Sequence, residues 1–344
     1  MKKDIKSMTH QELIDFIISL GDKKYRADQI YPLIAKGLES TDDVPNIPKS
    51  LKEELSEVSY ISKAKIYKKL QSKLDATAKY LIELDDGNVI ETVFMKYKHG
   101  NSICISTQVG CRMGCKFCAS GIDGLERNLT AGEMLGQIIT VQKDIGERIA
   151  NVVLMGAGEP LDNLDNVIKF LELVHEEKGL NIGYRHITIS TSGLVNGINR
   201  LTELDLPINL AISLHQTNQE KRREIMPIAN KYSIDELIAS AKNYAVKTKR
   251  RVTYEYALID GVNNDKQTAQ ALVKLLKNSL SHVNLIPVNT VEGNGFKRPS
   301  EESIKEFLKI LTKNGIEATV RRELGRDISG ACGQLKRSVV SEVN

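Results

Sequence analysis

The sequence predicts an α/β fold: a parallel sheet wound as an open or partial (β/α) barrel, preceded by a small helical unit at the N-terminus. Three observations carry this. From about residue 102 to residue 320, short aliphatic and β-branched runs alternate with helical stripes. Between residues 8 and 60, apolar residues recur at helical spacing instead. The two regions are joined by a hairpin signature, Asp85-Asp86-Gly87-Asn88, flanked by strand-like runs.

Leu13, Ile14, Ile17, Ile18 and Leu20 form the stripe of a first helix. A second starts near Tyr25 and carries Ile30, Leu33 and Ile34; Pro45-Asn46-Ile47-Pro48 separates it from a third. Lys63, Lys65, Lys68, Lys69, Lys73 and Lys79 stand against one acid, Asp75, and read as a basic linker. Strands over 79–84 and 89–95 form the hairpin. Ser102–Ser106 is a further strand, leading into a cysteine-rich loop. Thr130-Ala131-Gly132-Glu133 is a capping box that opens a helix towards Asp144. Strands are then expected at 152–155, 186–190, 208–213, 252–258, 282–286 and 316–320. Helices are expected at 165–177, 234–247, 266–278 and 301–314, the second opening at the capping box Ser233-Ile234-Asp235-Glu236.

A chain of 344 residues accommodates one large domain with an appendage, or two domains. It contains no run of eighteen apolar residues, and its basic start lacks the apolar stretch of a signal peptide. A cytoplasmic protein with reduced thiols and no membrane contact is expected. The net charge is only +4, but basic residues cluster at 63–79, at 247–251 and at Arg321, Arg322, Arg326, Lys336 and Arg337. Separate basic patches suit a polyanion touched at many points; any one of them alone also suits an ordinary solvated face. With 5% aromatics and no Trp, a stacking platform for long single strands is disfavoured.

Cys111, Cys115 and Cys118 occur as C-x-x-x-C-x-x-C. Three close thiolates can converge on a soft metal centre, and a cubane held by three cysteines keeps one iron open for a ligand. Structural zinc is the competing reading, with Cys104 as a fourth ligand. Only Cys115–Cys118 has the C-x-x-C spacing, however, and His99 adds no standard one. Five cysteines in 344 residues make a disulfide framework the poorer reading. Other strand ends carry Gly156-Ala157-Gly158-Glu159-Pro160, Ser190-Thr191-Ser192-Gly193, Ser213-Leu214-His215 and Pro287-Val288-Asn289. The glycines let the backbone approach a ligand, and Glu159 can accept hydrogen bonds from an ammonium group. The set suggests a polar ligand across the barrel mouth, although each serine alone also suits a cap or a turn.

Together with Glu91-Thr92-Val93, Asn284–Asn289 and Ala331-Cys332-Gly333-Gln334-Leu335, these motifs resemble the radical S-adenosylmethionine (SAM) enzymes. Within them the chain is most similar to the RlmN-type RNA adenosine carbon-2 methyltransferases. The likeness runs in order over residues 91–335, and the N-terminal helices resemble that family's accessory domain. It implies an accessory domain and linker over 1–78, a hairpin extension over 79–100, a radical SAM barrel with a catalytic C-terminal loop over 101–335, and a basic tail over 336–344.

The resemblance also implies roles. Cys111, Cys115 and Cys118 hold a 4Fe–4S cluster. Gly158, Glu159, Ser190, Ser213, Leu214, His215 and Asn289 line the SAM site. Cys332 takes a methyl group from one SAM; a second SAM, cleaved reductively at the cluster, yields a radical that activates this methyl group for addition to adenine. Glu91 accepts a proton, and Cys104 resolves the enzyme–RNA adduct by forming a Cys104–Cys332 disulfide. The implied targets are adenosine 2503 of 23S ribosomal RNA and adenosine 37 of tRNA. The implied electron donor is a flavodoxin or ferredoxin. Ala157, Gln216 and Gly330 depart from the common pattern, and none of them is a reacting group. The alternatives are carbon-8 methylation of the same ribosomal adenosine, whose enzymes typically carry Ala where this chain has Pro160, a radical SAM enzyme acting on a small molecule, and a zinc-stabilised RNA-binding module without catalysis.

Overall fold

The computed structural model describes residues 2–288, 295–330, 333–335 and 338–339. The N-terminal unit comprises strand β1 (Lys3–Asp4), helices α1 (His10–Ser19), α2 (Tyr25–Ala35) and α3 (Lys49–Val58), and strand β2 (Ser59–Tyr60), parallel to β1. Thr9 and Glu12 close a capping box on α1. Leu13, Ile17, Ile30 and Leu55, from the three apolar stripes, form a core separate from that of the barrel.

The basic stretch is not a free linker. Residues Ala64–Gln71 form strand β3, which lies at one end of the sheet and pairs antiparallel with β4 (Ala78–Leu84). Lysines are well suited to an edge strand, where charge discourages pairing with another chain. Two lysines of the stretch are engaged: Lys69 lies 2.6 Å from Asp144, and Lys79 is buried.

β4 pairs antiparallel with β5 (Asn88–Tyr97), which pairs antiparallel with β6 (Gly100–Cys104). Short strands β7 (Gln108–Gly110) and β8 (Leu125–Asn128) pair with each other and bracket the cysteine loop. There follow α4 (Ala131–Ile145), β9 (Asn151–Leu154), α5 (Leu164–His175), β10 (Ile187–Thr191), α6 (Val195–Leu204), β11 (Asn209–Ser213), α7 (Gln219–Ile225), α8 (Ile234–Thr248), β12 (Val252–Leu258), α9 (Lys266–Leu276), β13 (Ser281–Pro287), α10 (Glu301–Lys313), β14 (Ala318–Val320) and β15 (Ser338–Val339). Strands β6, β9, β10, β11, β12, β13 and β14 are parallel neighbours in that order. β6 and β14 do not pair, so the barrel is partial. The antiparallel strands β5, β4 and β3 continue its sheet beyond β6, and β15 adds to β5.

The helical unit docks on the first turn of α4 through polar groups. Ser7 accepts the Gly132 amide at 2.9 Å and donates to Asp4 at 2.7 Å, and Asp4 accepts the Ser62 amide at 3.0 Å. A Cβ on Gly132 would lie 2.4 Å from the Asp4 carboxylate and 2.6 Å from Ser7 Oγ. Gly132→Ala is therefore expected to lower stability by about 1–3 kcal/mol, the usual cost of overpacking. Chemical denaturation checks this, and a variant as stable as the parent would contradict the docking geometry.

Candidate active site at the barrel mouth

The carboxyl ends of the parallel strands surround a cavity of about 160 Å³ lined by Cys111, Cys115 and Cys118 among others. The loop after β9 lies flat against the segment leading from β6 to the cysteine loop. Thr107 donates its amide to Ala157 O at 2.8 Å, and Gly156 donates to Ile105 O at 3.0 Å. This is what the glycines are for. A Cβ on Gly156 would sit 2.6 Å from Ile105 O; one on Gly158, at φ +106°, would sit 2.7 Å from Gln108 Cβ. The crowding comes from the protein itself, backbone at Gly156 and residues 107–108 at Gly158, so the glycines permit strand–loop contact more than close approach to a ligand.

Glu159 is buried, and burial pushes its carboxyl upward. One oxygen accepts the Leu161 amide at 3.1 Å and the other the Ser192 amide at 2.6 Å. The Thr191 and Ser192 side chains act on the same carboxyl and oppose the effect of burial. Ser190, Ser192 and Ser213 also line the cavity, and Ser192 Oγ is buried with no hydrogen-bond partner among the described residues. Leu214 is in the core instead. Its amide donates to Glu255 O at 3.1 Å and its carbonyl accepts from Arg222 Nε at 3.1 Å.

His215 takes a left-handed backbone, φ +55°. Asn263, itself buried, holds it there by donating to the carbonyls of His215 and Ala257, both at 2.7 Å. His215 Nδ1 accepts the Ala257 amide at 2.8 Å, and burial, with the nearby Arg222 charge, lowers its pKa to about 3. The ring is thus a neutral imidazole with Nε2 protonated. It packs edge-on against Phe117 at 4.7 Å, which ties the cysteine loop to the end of β11. Asn289 lies outside the described residues. Val288, immediately before it, lines the cavity.

The cysteine loop is braced on both sides. Asp162 accepts from Arg112 Nε at 2.8 Å and from Gln108 Nε2 at 2.9 Å. The Lys116 amide donates to Ile225 O at 3.0 Å. Burial pushes the Cys111 thiol up to about 12 and also raises that of Cys115, with further repulsion from neighbouring thiols and Glu159. Metal binding would displace those protons. No three His, Cys, Asp or Glu side chains among the described residues converge at single-ion spacing. The corners of a cubane stand farther apart than the ligands of one zinc ion. The three thiols and the Ser192 hydroxyl, which line one cavity, fit an iron–sulfur cluster with SAM beside it.

The C-terminal segment packs against the same loop. The Ala119 amide donates to Gly333 O at 2.8 Å, and Ser120 Oγ to Leu335 O at 2.6 Å. Cys332 lies outside the described residues, but Gly330 and Leu335, on either side of it, share a small cavity with Cys104 at the end of β6. Glu91, on β5, is buried and lies 3.1 Å from Lys79 Nζ, which also donates to Ser329 O at 3.4 Å. Lys79, Arg222 and Asn263 carry no signal of this in the sequence. Lys79 looks like one of a run of solvated lysines, and Arg222 sits in the charged run Glu220-Lys221-Arg222-Arg223-Glu224.

Comparison with known proteins agrees with the site. The radical SAM superfamily profile matches residues 105–272, and the ribosomal RNA large subunit methyltransferase N-terminal domain profile matches residues 3–61. A probable dual-specificity RNA methyltransferase RlmN of Alkaliphilus oremlandii is 56% identical over 98% of both chains. One from Clostridium botulinum is 57% identical over 98% of this chain and 97% of its own length. The crystal structure of a radical SAM methyltransferase from Sphaerobacter thermophilus superposes with a TM-score of 0.92 at 42% identity, covering 97% of this chain and 99% of that one. With identity above half over almost the full length, this chain belongs to the RlmN family of radical SAM RNA methyltransferases.

Proposed function

We propose that the protein methylates carbon 2 of adenosine 2503 in 23S ribosomal RNA and of adenosine 37 in tRNA, with Cys332 as methyl carrier and Cys104 as the thiol that releases the product. The observation that carries this reading is the packing of residues 333–335 on the cysteine loop, together with the cavity that Cys104 shares with Gly330 and Leu335. Pro160, the residue that favours carbon 2 over carbon 8, is in the wall of the main cavity. Arg112 and Lys116 are exposed on the cysteine loop and offer phosphate contacts at its mouth. Target adenosines in RNA loops can be splayed out of the stack to reach such a cavity.

Cys111, Cys115 and Cys118 would hold the cluster, with Gly158, Glu159, Ser190, Ser213, His215 and Asn289 around SAM. When bound, cluster and SAM together supply a one-electron oxidant able to remove hydrogen from an unactivated carbon. The protein's own residues do the rest. The Cys332 thiolate displaces the methyl group of one SAM: the new bond is sulfur to methyl carbon, and the bond broken is that carbon to the sulfonium. The second SAM of each turnover is used in activating that methyl carbon. Once the carbon is joined to adenine carbon 2, the adduct gives up one electron to a one-electron acceptor of the iron–sulfur class, and Glu91, positioned by Lys79, accepts the proton leaving the ring. Cys104 thiolate then attacks the Cys332 sulfur: the sulfur–sulfur bond forms as the bond from that sulfur to the methylene carbon breaks, and the carbon takes up a proton, freeing methylated RNA and leaving a disulfide. An external two-electron thiol reductant restores both thiols.

No helix among the described residues is long and apolar enough to cross a membrane. A cytoplasmic site of action, with a flavodoxin or ferredoxin as electron donor, belongs to the same proposal. Mass spectrometry of RNA treated with the reconstituted protein is expected to give 2-methyladenosine. A product made up of 8-methyladenosine would replace this reading with that of the carbon-8 enzymes.

A further inference from the structure

Arg222, on α7, is the largest of the fully buried side chains and has no exposed surface. No carboxylate pairs with it among the described residues. Its Nε donates to Leu214 O at 3.1 Å, and Nη2 donates to Ser192 O at 2.8 Å and Ser213 O at 3.2 Å. The third nitrogen, Nη1, is buried and has no hydrogen-bond partner among the described residues. A guanidinium keeps its charge in folded proteins, and a buried charge without a counter-charge is strongly unfavourable.

Its surroundings indicate where the counter-charge comes from. The three carbonyls it holds stand at the ends of β10 and β11, and two of their residues, Ser192 and Ser213, line the main cavity. α7 is bonded to the cysteine loop through Lys116 N and Ile225 O, and Met226, next in the chain, lines the cavity with the three cysteines. A cubane with three thiolates carries one net negative charge when oxidised and two after accepting an electron, and such charge is one determinant of cluster potential.

We propose that Arg222 is the built-in counter-charge of the cluster: a positioning residue that stabilises its reduced state and so eases electron uptake from a one-electron donor of the flavodoxin or ferredoxin class. The proposal rests on the assignment of the three cysteines to a cluster. It also accounts for the absence of an acidic partner for Arg222 among the described residues, since a nearby carboxylate would compete for the same charge.

The test uses the full-length, anaerobically reconstituted protein as parent, Arg222→Gln and Arg222→Lys. The cluster's reduction is titrated and followed by electron paramagnetic resonance. Gln retains donors for the carbonyls but loses the charge; Lys retains the charge. Arg222→Gln is expected to shift the reduction equilibrium about tenfold towards the oxidised form, about 59 mV lower for one electron, while Arg222→Lys stays near the parent. The rise in thermal midpoint on cluster loading, measured against chelator-stripped protein, should likewise shrink in Arg222→Gln and persist in Arg222→Lys. If Arg222→Gln loads no cluster while Arg222→Lys loads one at the parent's potential, the role of the charge stands. Equal potentials in parent and Arg222→Gln, or loss of the cluster from both variants, would overturn the proposal and leave Arg222 as a clamp on three carbonyls. A parent without any cluster signal would instead remove the assignment of the cysteine loop.

Discussion

Cys104→Ala is expected to leave RNA covalently attached to the protein. Cys104 ends β6, with Val93 and Val153 opposite it in the flanking strands. It is buried with Val93, Met95 and Leu335. Losing one sulfur there should cost about 1 kcal/mol, typical of a point substitution, so the fold and the cluster should persist. What disappears is the thiol proposed to attack the Cys332 sulfur. The adduct then forms once and accumulates towards the amount of protein present, surviving denaturing electrophoresis, while multiple turnover ceases. Cys332→Ala is expected to give the complementary result, with no adduct and no product. Normal turnover by Cys104→Ala, or full activity in Cys332→Ala, would eliminate the covalent route while leaving the cluster assignment untouched.

Cys118→Ala should abolish cluster retention. Cys118 follows the turn at Cys115, its amide 3.1 Å from Cys115 O, and immediately precedes the residue that anchors Gly333. Removing a residue that merely orients a metal ligand typically costs 10–100-fold in affinity, so removing a ligand should cost at least about 100-fold. Iron and sulfide analysis of anaerobically prepared protein reads this directly. The parent should carry four irons per cubane. Stoichiometric zinc with no iron in the parent would favour the zinc reading.

The strands and helices of the barrel were legible because their apolar periodicities are strong and their capping boxes local. Thr130/Glu133 and Ser233/Glu236 both form as read. β3 is not legible in the sequence because its lysines mask a strand pattern that comes from an edge position and not from burial. α6 and α7 carry no strong signal; α7 is short and highly charged, and its fully buried charge, on Arg222, is invisible to periodicity. The cysteine spacing located the loop, but nothing local marks its braces. Phe117 meets His215 across 98 positions of sequence, and Lys79 meets Glu91 only through the register of two paired strands. Leu214 falls within a cofactor-site motif, yet its side chain is turned into the core because the strand's alternation directs it there. Asn289 and Cys332, both singled out in the sequence, lie outside the described residues.

The bond from Ser120 Oγ to Leu335 O spans 215 positions of sequence. A ribosome emits the chain from its N-terminus at about 5–20 residues per second, so the cysteine loop is exposed to the cell for some ten seconds or more before its covering segment exists. Cluster insertion by the assembly machinery therefore has a natural window during synthesis, when the loop and its barrel strands have begun to form and the wall carrying Leu335 has yet to arrive. The order of synthesis makes the wall carrying Leu335 the last part of the site to be completed.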